Sequence, residues 1–336
     1  MSLTFQRETR QSVFRDPRRD FQESKAEFEI RFDPITGELT RIFPLHNFRL
    51  QRRDWAPLAT LTREKGCPFC PEALKTATPL FPEAMIPTGR LNRGGATVIP
   101  NLSPYAPYSA VVIMCQEHYL PLAHFSTGAI EDGFGAALAF LEQAQAYDPE
   151  NARYPTVGWN YMPFAGGSII HPHLQALAGP EPSNRHRLSV ERSLSYYRET
   201  GRNIWKDLVE KEKERGDRYL WQEGALHWLA SFAPRGLGDL TLVFEGKSTL
   251  RDLTSQDIHH LAQGLQRVFR FYDSLNLPSF NLALFPAPEK QPGYWLNARL
   301  TGRFTVFDWT SDINSLQLLL GDFYSFLSPE SIRAKI

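Results

Sequence analysis

The second half of this 336-residue chain repeats landmarks of the first half. An aromatic-Ala-Pro tripeptide centred on Ala106 returns around Ala233, and His171 matches Asn297 further along each copy. The two spacings, 106 to 233 and 171 to 297, differ by a single residue, which indicates a duplication. Each copy has strand patterns followed by an amphipathic helix. The sequence therefore predicts an α+β fold whose two halves, antiparallel sheets covered by helices, are fused into one domain.

The hydrophobic pattern divides the chain into four segments. The first is polar and Arg-rich with little periodicity, as expected of an arm. The third is charged and has apolar residues at helical spacing, which predicts a helical linker. The predicted segments are an N-terminal arm (1–26), a first half that carries the chemistry (27–183), the linker (184–217) and a second half without the motif histidines (218–336).

Local patterns predict the elements that flank the chemistry. An alternating run from Glu27 to Phe32 is reversed by a turn at residues 33–37, which predicts a hairpin with Glu38 to Phe43. Thr254 followed by Asp257 predicts the N-terminal cap of the second amphipathic helix. Strands of the first half are expected at 96–100, 109–115, 156–162 and 171–178.

Composition excludes several function classes. Lys+Arg and Asp+Glu are both 37, so the chain lacks the positive charge that would hold a nucleic acid or an anionic membrane. No apolar run approaches the roughly eighteen residues of a membrane span, and a cytoplasmic protein is expected. Three cysteines cannot make a disulfide framework, so metal binding is the expected chemistry for them.

Three polar side chains share one face of a predicted strand. Side chains alternate across a strand, so His171, His173 and Gln175 project together while Pro172 and Leu174 face the other way. The preceding Gly166 and Gly167 allow a backbone to approach an anion closely. A half-exposed strand with chance histidines is the alternative, and the convergence of three polar groups after two glycines favours a phosphate site.

A pair of cysteines has the spacing of metal ligands. Cys67 and Cys70 are separated by two residues, which lets both thiolates reach one tetrahedral Zn²⁺. The chain has no second pair of this kind, so the other ligands would be histidines, and His118 and His171 are the best placed. Reduced buried thiols or a redox couple are the alternatives, although no thioredoxin-like context surrounds the pair.

These motifs resemble the galactose-1-phosphate uridylyltransferase branch of the histidine triad superfamily, whose signature is His-Pro-His-x-Gln. The resemblance also covers the turn from Asp33 to Glu38, the cysteine pair, the block at residues 100–118, Gly-Gly-Ser before the motif, and Asn160, eleven residues before His171. It implies one structural zinc site per chain, duplicated halves of the histidine triad kind, and a homodimer. The implied zinc ligands are Cys67, Cys70, His118 and His171.

The resemblance assigns further roles at the site. His173 is implied as the nucleophile that forms a nucleotidyl-histidine, with Asn160 supporting its strand. Gln175 and Ser168 match phosphate contacts, and Gly166 and Gly167 the adjoining nucleotide loop. Asn101, Arg49 and Arg52 match nucleotide-side positions, the two arginines by spacing alone.

The second half departs from the family pattern. Asn297 and Arg299 stand where relatives often carry a second metal-binding His-x-His, so no second metal is expected. In a late stretch that contacts the hexose phosphate in the family, Phe304 and Val306 match and Arg303 replaces a lysine.

Three functions follow from these residues. The first is a UDP-glucose:hexose-1-phosphate uridylyltransferase, with a nucleotide sugar and a sugar 1-phosphate as partners. The second is an adenylyl-transferring phosphorylase for diadenosine tetraphosphate or an ADP-sugar, with inorganic phosphate as acceptor. The third is a non-catalytic nucleotide-binding zinc protein, which the joint presence of nucleophile, Gln175, Asn160 and four metal-ligand candidates disfavours.

Overall fold

The computed structural model describes residues 3–43, 50–305, 307 and 310–336. The chain begins with a long two-stranded hairpin, continues through two short helices, and then enters the first repeat. The elements up to that point are β1 (Arg7–Asp16), β2 (Gln22–Phe32), β3 (Leu39–Ile42), α1 (Ala56–Glu64) and α2 (Pro71–Ala77).

The two repeats have the same order of elements, and two helices join them. The first repeat comprises β4 (Leu91–Arg93), β5 (Ala96–Pro100), β6 (Tyr108–Ile113), α3 (Thr127–Tyr147), β7 (Tyr154–Tyr161) and β8 (His173–Gly179). The joining helices are α4 (Asn184–Thr200) and α5 (Ile204–Arg215). The second repeat comprises β9 (Tyr219–Glu223), β10 (Leu226–Ala230), β11 (Leu237–Phe244), α6 (Ser255–Ser274), β12 (Ser279–Phe285) and β13 (Asn297–Arg303), followed by α7 (Ser315–Leu318) and β14 (Phe323–Ser325).

Ten strands of the two repeats form one continuous sheet. Read outward from its centre, one side runs β7-β8-β6-β5-β4 and the other runs β12-β13-β11-β10-β9. The central β7 and β12 are antiparallel, and Asn160 lies directly opposite Asn281. The equal strand orders confirm the predicted fold: two α+β halves of like architecture, joined edge to edge in a single domain.

One face of this sheet is covered by α3 and α6. Phe134 of α3 and Phe269 of α6 both pack against Trp159 at the sheet centre, and all three are buried. Burying each such side chain contributes about 1.5–3 kcal/mol. Thr254 and Asp257 form a capping box at the start of α6, as the sequence predicted.

The opposite face of the sheet is covered by different apolar clusters in the two halves. In the second half, α4, α5 and Ile35 cover it with a buried apolar cluster that includes Trp205, Leu208, Leu229, Val243 and Tyr294. Among the described residues of the first half, a smaller buried cluster lies on it, formed by Cys67, Phe69, Cys70, Ile99, Val111 and Ile113. His173 and Gln175 lie on this face of the first half, and both are half-buried on β8.

The N-terminal segment differs from the expectation. The predicted hairpin of residues 27–32 and 38–43 is confirmed, since β2 and β3 pair antiparallel and Gly37 supplies a positive φ of 77° at the turn. However, the predicted arm at residues 1–26 contains a strand that the sequence did not predict, because β1 pairs with β2 along its whole length. Nearly all of β1 is exposed, so its side chains show no apolar alternation from which a strand could be predicted.

Among the described residues, no helix has the length and apolar character needed to cross a membrane.

Candidate metal centre and active site

Four buried side chains converge beside the sheet. Cys67 and Cys70 come from the turn before α2, His118 follows β6, and His171 immediately precedes β8. One donor atom from each lies within 4.8 Å of the others. The Cys70 Sγ is 3.3 Å from His118 Nδ1 and 3.7 Å from His171 Nδ1. The structure thus brings together all four residues that the resemblance singled out as metal ligands.

Second contacts orient both imidazoles toward this centre. The His171 Nε2 hydrogen bonds to the carbonyl oxygen of Cys115 at 2.9 Å, and the His118 Nε2 lies 2.9 Å from Thr62 Oγ1. Each contact leaves Nδ1 directed at the cysteines. Such outer contacts are typical of histidine metal ligands, because they fix the tautomer and the ring orientation.

The donor chemistry fits a metal ion. Burial lowers the pKa of His171 to about 4, so its imidazole is neutral and able to coordinate. Burial, together with the neighbouring Cys67, raises the pKa of the Cys70 thiol to about 11 in the absence of a cation. A bound cation reverses that effect by stabilising the thiolate. Two sulfur and two nitrogen donors in a closed, buried group could hold a metal ion.

His173 is held as a neutral nucleophile would be. Its Nδ1 donates a hydrogen bond to the backbone carbonyl of His171 at 2.8 Å. This contact places the proton on Nδ1 and leaves Nε2 with a free lone pair. Burial lowers the pKa of His173, although the bond to the His171 carbonyl acts in the opposite sense. The strand itself begins at His173, so His171 lies just outside it rather than on the predicted strand.

Gln175 belongs to a chain of polar side chains that crosses the sheet centre. Asn160 on β7 donates through Nδ2 to Gln175 Oε1 at 3.4 Å. Asn281 on β12 donates through Nδ2 to Asn160 Oδ1 at 2.6 Å. Asn281 had not been assigned a role from the sequence. The available signal was its place in the repeat, where Ser-Phe-Asn echoes the Gly-Trp-Asn that ends at Asn160.

The glycine loop between β7 and β8 is tightly built. Gly166 has φ of 84°, and a Cβ on Gly167 would lie 2.9 Å from the carbonyl oxygen of Asn160. Met162 adopts φ of 68° although it is not a glycine, a conformation that stores strain and is common near functional sites. Ser168 follows as an exposed residue at a bend. The loop therefore exposes its backbone at Gly166 and the hydroxyl of Ser168 between β7 and β8.

The remaining nucleotide-side candidates lie apart from His173. The backbone N–H of Asn101 bonds to Ser109, whereas His173 pairs with Ile113, roughly 13 Å further along β6. Arg52 forms an ion pair with Asp273 at 2.6 Å and lines a separate cavity of about 450 Å³. Arg49 and Val306 lie outside the described residues.

The matching face of the second half is closed. Arg299 donates to Asp239 at 2.6 Å and to Asp33 at 3.1 Å, and the Asn297 side chain donates to Tyr294 Oη at 2.9 Å. The space between this face and its cover is about 50 Å³. A small-molecule pocket usually has roughly 300 Å³ or more. The second half therefore has no room for a nucleotide at this position.

Comparisons with known proteins find one relative by sequence and several proteins of similar fold. No family model matches the chain. An uncharacterized protein from Archaeoglobus fulgidus is 30% identical over 311 residues, which is 92% of this chain and 91% of that protein. An ADP-glucose phosphorylase from Arabidopsis thaliana, solved with bound ADP-glucose, superimposes with TM-score 0.68 at 17% identity over 91% of this chain and 97% of its own. A uridylyltransferase structure gives TM-score 0.66 at 23% identity over 91% and 96%. At these identities the two structures establish a shared fold.

Proposed function

We propose that the chain is a nucleotidyltransferase of the galactose-1-phosphate uridylyltransferase-like branch of the histidine triad superfamily, working through a nucleotidyl-histidine, and the fold that it shares with an ADP-glucose phosphorylase and a uridylyltransferase supports this proposal. It shares a family with the Archaeoglobus fulgidus protein. The observation that carries the proposal is the hydrogen bond from His173 Nδ1 to the His171 carbonyl, at 2.8 Å. It leaves a neutral Nε2 as the attacking atom, on a side chain that is half-buried on β8.

The reaction has two displacements. In the first, the Nε2 lone pair of His173 attacks the α-phosphorus of a nucleotide sugar, a P–N bond forms, and the P–O bond to the sugar 1-phosphate breaks. In the second, a phosphate oxygen of the acceptor attacks the same phosphorus and the P–N bond breaks. The leaving group is already an anion, so positioning and charge stabilisation matter more than proton transfer.

Neutral hydrogen-bond donors near His173 suit the negative charge of the transferred phosphoryl group. Gln175 lies two residues further along the same face of β8, and its amide can donate but cannot titrate. Ser168 and the backbone of the glycine loop supply further donors at the loop edge. An intermediate held by such groups is not offered a general base that would activate water. This favours transfer to a second phosphate over hydrolysis.

We propose that the Cys67, Cys70, His118 and His171 group holds one zinc ion with a structural role. Two thiolates and two imidazoles complete a tetrahedral shell, which suits zinc and leaves no open position for chemistry. When bound, the ion would supply a fixed attachment for the segment that precedes β8. This chain's own contribution is the buried donor set and the contacts at Thr62 and Cys115 that orient the imidazoles.

The donor class that we propose is a nucleoside diphosphate sugar, specifically UDP-glucose with a hexose 1-phosphate acceptor. The family resemblance supports uridylyl transfer. A protein of the same fold is described with bound ADP-glucose, which supports the donor class and makes adenylyl transfer to inorganic phosphate the second candidate.

Intact-protein mass spectrometry tests this function. The protein is incubated briefly with UDP-glucose, ADP-glucose or diadenosine tetraphosphate, beside a His173→Ala control. A uridylyl adduct on the wild type alone is the expected result. An adenylyl adduct would move the protein to the phosphorylases, and absence of an adduct from all three donors would refute nucleotidyl transfer.

A further inference from the structure

Asn281 ties the second half of the fold to the catalytic strand of the first half. It is half-buried on β12, directly opposite Asn160 across the central strand pair. Its Nδ2 donates to Asn160 Oδ1 at 2.6 Å and to the carbonyl oxygen of Ala165 at 2.8 Å. We propose that Asn281 is a positioning residue that acts through Asn160 to orient the Gln175 amide, with its N–H groups directed at the transferred phosphoryl group. This inference rests on the proposed nucleotidyl transfer at His173.

Arg303 lies at the far end of this series of side chains and sets the direction of each hydrogen bond between them. Arg303 on β13 donates through Nε and Nη2 to the carboxylate of Asp312, at 2.7 and 2.6 Å. Its Nη1 donates to Asn281 Oδ1 at 2.7 Å. A guanidinium has five N–H donors and no acceptor, so the Asn281 atom facing it must be the oxygen. The amide orientation of Asn281 is therefore determined by chemistry rather than by choice.

This direction propagates to the active site. Because Asn281 presents Nδ2 to Asn160, the facing atom of Asn160 must be Oδ1, and its Nδ2 then points at Gln175. Gln175 in turn accepts through Oε1. Both N–H groups of the Gln175 amide thus remain available to donate. The opposite orientation would present a carbonyl oxygen to an anionic phosphoryl group, which would repel it.

The second hydrogen bond of Asn281 extends this control to the glycine loop. Ala165 closes the short turn that leads into Gly166 and Gly167, and the Gly167 backbone packs close to the Asn160 carbonyl. One side chain from the second half therefore holds both elements that face the phosphoryl group, the amide of Gln175 and the loop. The second half acts at the site through Asn281 although its own nucleotide position is closed.

Two substitutions separate positioning from packing. Asn281→Asp keeps the size of the side chain but cannot donate to Asn160 Oδ1. The side-chain amides of Asn160 and Gln175 are therefore expected to rotate by about 180°, which exchanges their oxygen and nitrogen positions. Asn281→Ala removes the tie without imposing the reverse orientation. We expect the rate of nucleotidyl-His173 formation to fall about a hundredfold in Asn281→Asp and about tenfold in Asn281→Ala, with little change in donor affinity. A packing role predicts the reverse order, because only alanine leaves a cavity.

A second background tests whether the effect passes through Gln175. In a Gln175→Ala protein, Asn281→Asp is expected to lower the rate about tenfold or less instead of about a hundredfold, because the part of the loss that passes through Gln175 is already gone and only the part through the glycine loop remains. Asn203→Asp, the same chemical change at the cap of α5, serves as the matched control and should keep the wild-type rate. Melting temperatures of all variants show whether they fold. If Asn281→Asp does not fold, Asn281→Ala in the two backgrounds carries the same comparison.

The outcomes are distinguishable. Equal losses in the wild-type and Gln175→Ala backgrounds, or a lower rate for alanine than for aspartate, would overturn the positioning role while leaving nucleotidyl transfer intact. A wild-type protein that forms no adduct would instead refute the proposed function itself.

Discussion

The ring of Phe69 meets the imidazole of His173 edge to face, with centroids 5.5 Å apart and planes at 67°. Phe69 lies between the two cysteines of the metal centre, and its ring also contacts His171 at 6.2 Å. The segment that carries Cys67 and Cys70 is therefore in direct contact with His173, the proposed nucleophile. We expect a disturbance of the proposed metal centre to reach His173 through this one side chain.

Removal of one of the four proposed metal donors should destabilise the segment that carries Phe69. Cys70→Ser is expected to lose the bound zinc, about one ion per chain in the wild type, and to lower the melting temperature by roughly 5–10 °C. Metal analysis and thermal unfolding measure the two effects. Cys115→Ser is the matched control, because Cys115 is not one of the four clustered donors and should keep its zinc. Full zinc retention in Cys70→Ser would contradict the ligand assignment.

Truncation of Phe69 should affect the nucleophile without removing the metal. Phe69→Ala is expected to slow adduct formation on His173 about tenfold, because the imidazole loses the contact that limits its rotation. Leu74 packs against the same apolar cluster, so Leu74→Ala controls for the general loss of packing. Zinc content should stay unchanged in both variants. Equal rates for the two would show that the ring contact does not position His173.

Acid should weaken the attachment of the C-terminal segment. The Glu330 carboxylate accepts hydrogen bonds from Arg31 at 2.7 and 3.0 Å, and this guanidinium holds its pKa at about 2 against the ordinary 4.5, although burial opposes the shift. A depressed carboxyl pKa stabilises the fold fully above pH 4.5, and the effect is lost as the pH falls toward 2.

Glu330→Gln tests that linkage. At neutral pH the variant should lose about 2 kcal/mol of unfolding free energy, and the difference from the wild type should shrink toward zero near pH 2. Denaturant unfolding at several pH values measures it. A difference that is independent of pH would show that the charge of Glu330 contributes nothing.

The buried ion pair of the second half should be sensitive to removal of one partner. Asp239 is fully buried and accepts from Arg299 at 2.6 Å. Arg299→Met leaves the carboxylate without its cation and is expected to cost about 3–5 kcal/mol of unfolding free energy. Replacing both residues, Arg299→Met with Asp239→Leu, should recover much of that loss, as urea unfolding would show. A double variant no more stable than the single one would contradict this account.

Much of the architecture was predictable because it depends on short-range patterns. The repeated landmarks around Ala106 and Ala233 predicted the duplication, and the apolar stripe with its Thr254 cap predicted α6. The β1 strand was not predictable in this way, because a strand with both faces exposed carries no hydrophobic alternation. Its hydrogen bonds to β2 decide its structure instead.

The sequence by itself determined which chemistry this protein can attempt. It supplies two thiols and two imidazoles of metal-ligand type, a further histidine two residues after His171, and the Gln175 amide, which cannot titrate. These are properties of residue type and local spacing. Only the tertiary structure decided that the four donors meet, that the His171 carbonyl fixes the His173 tautomer, and that the second half is closed by α4 and α5. It also decided the direction of the amide chain, because an amide has no preferred orientation until a donor-only group such as Arg303, brought from the other half of the fold, determines it.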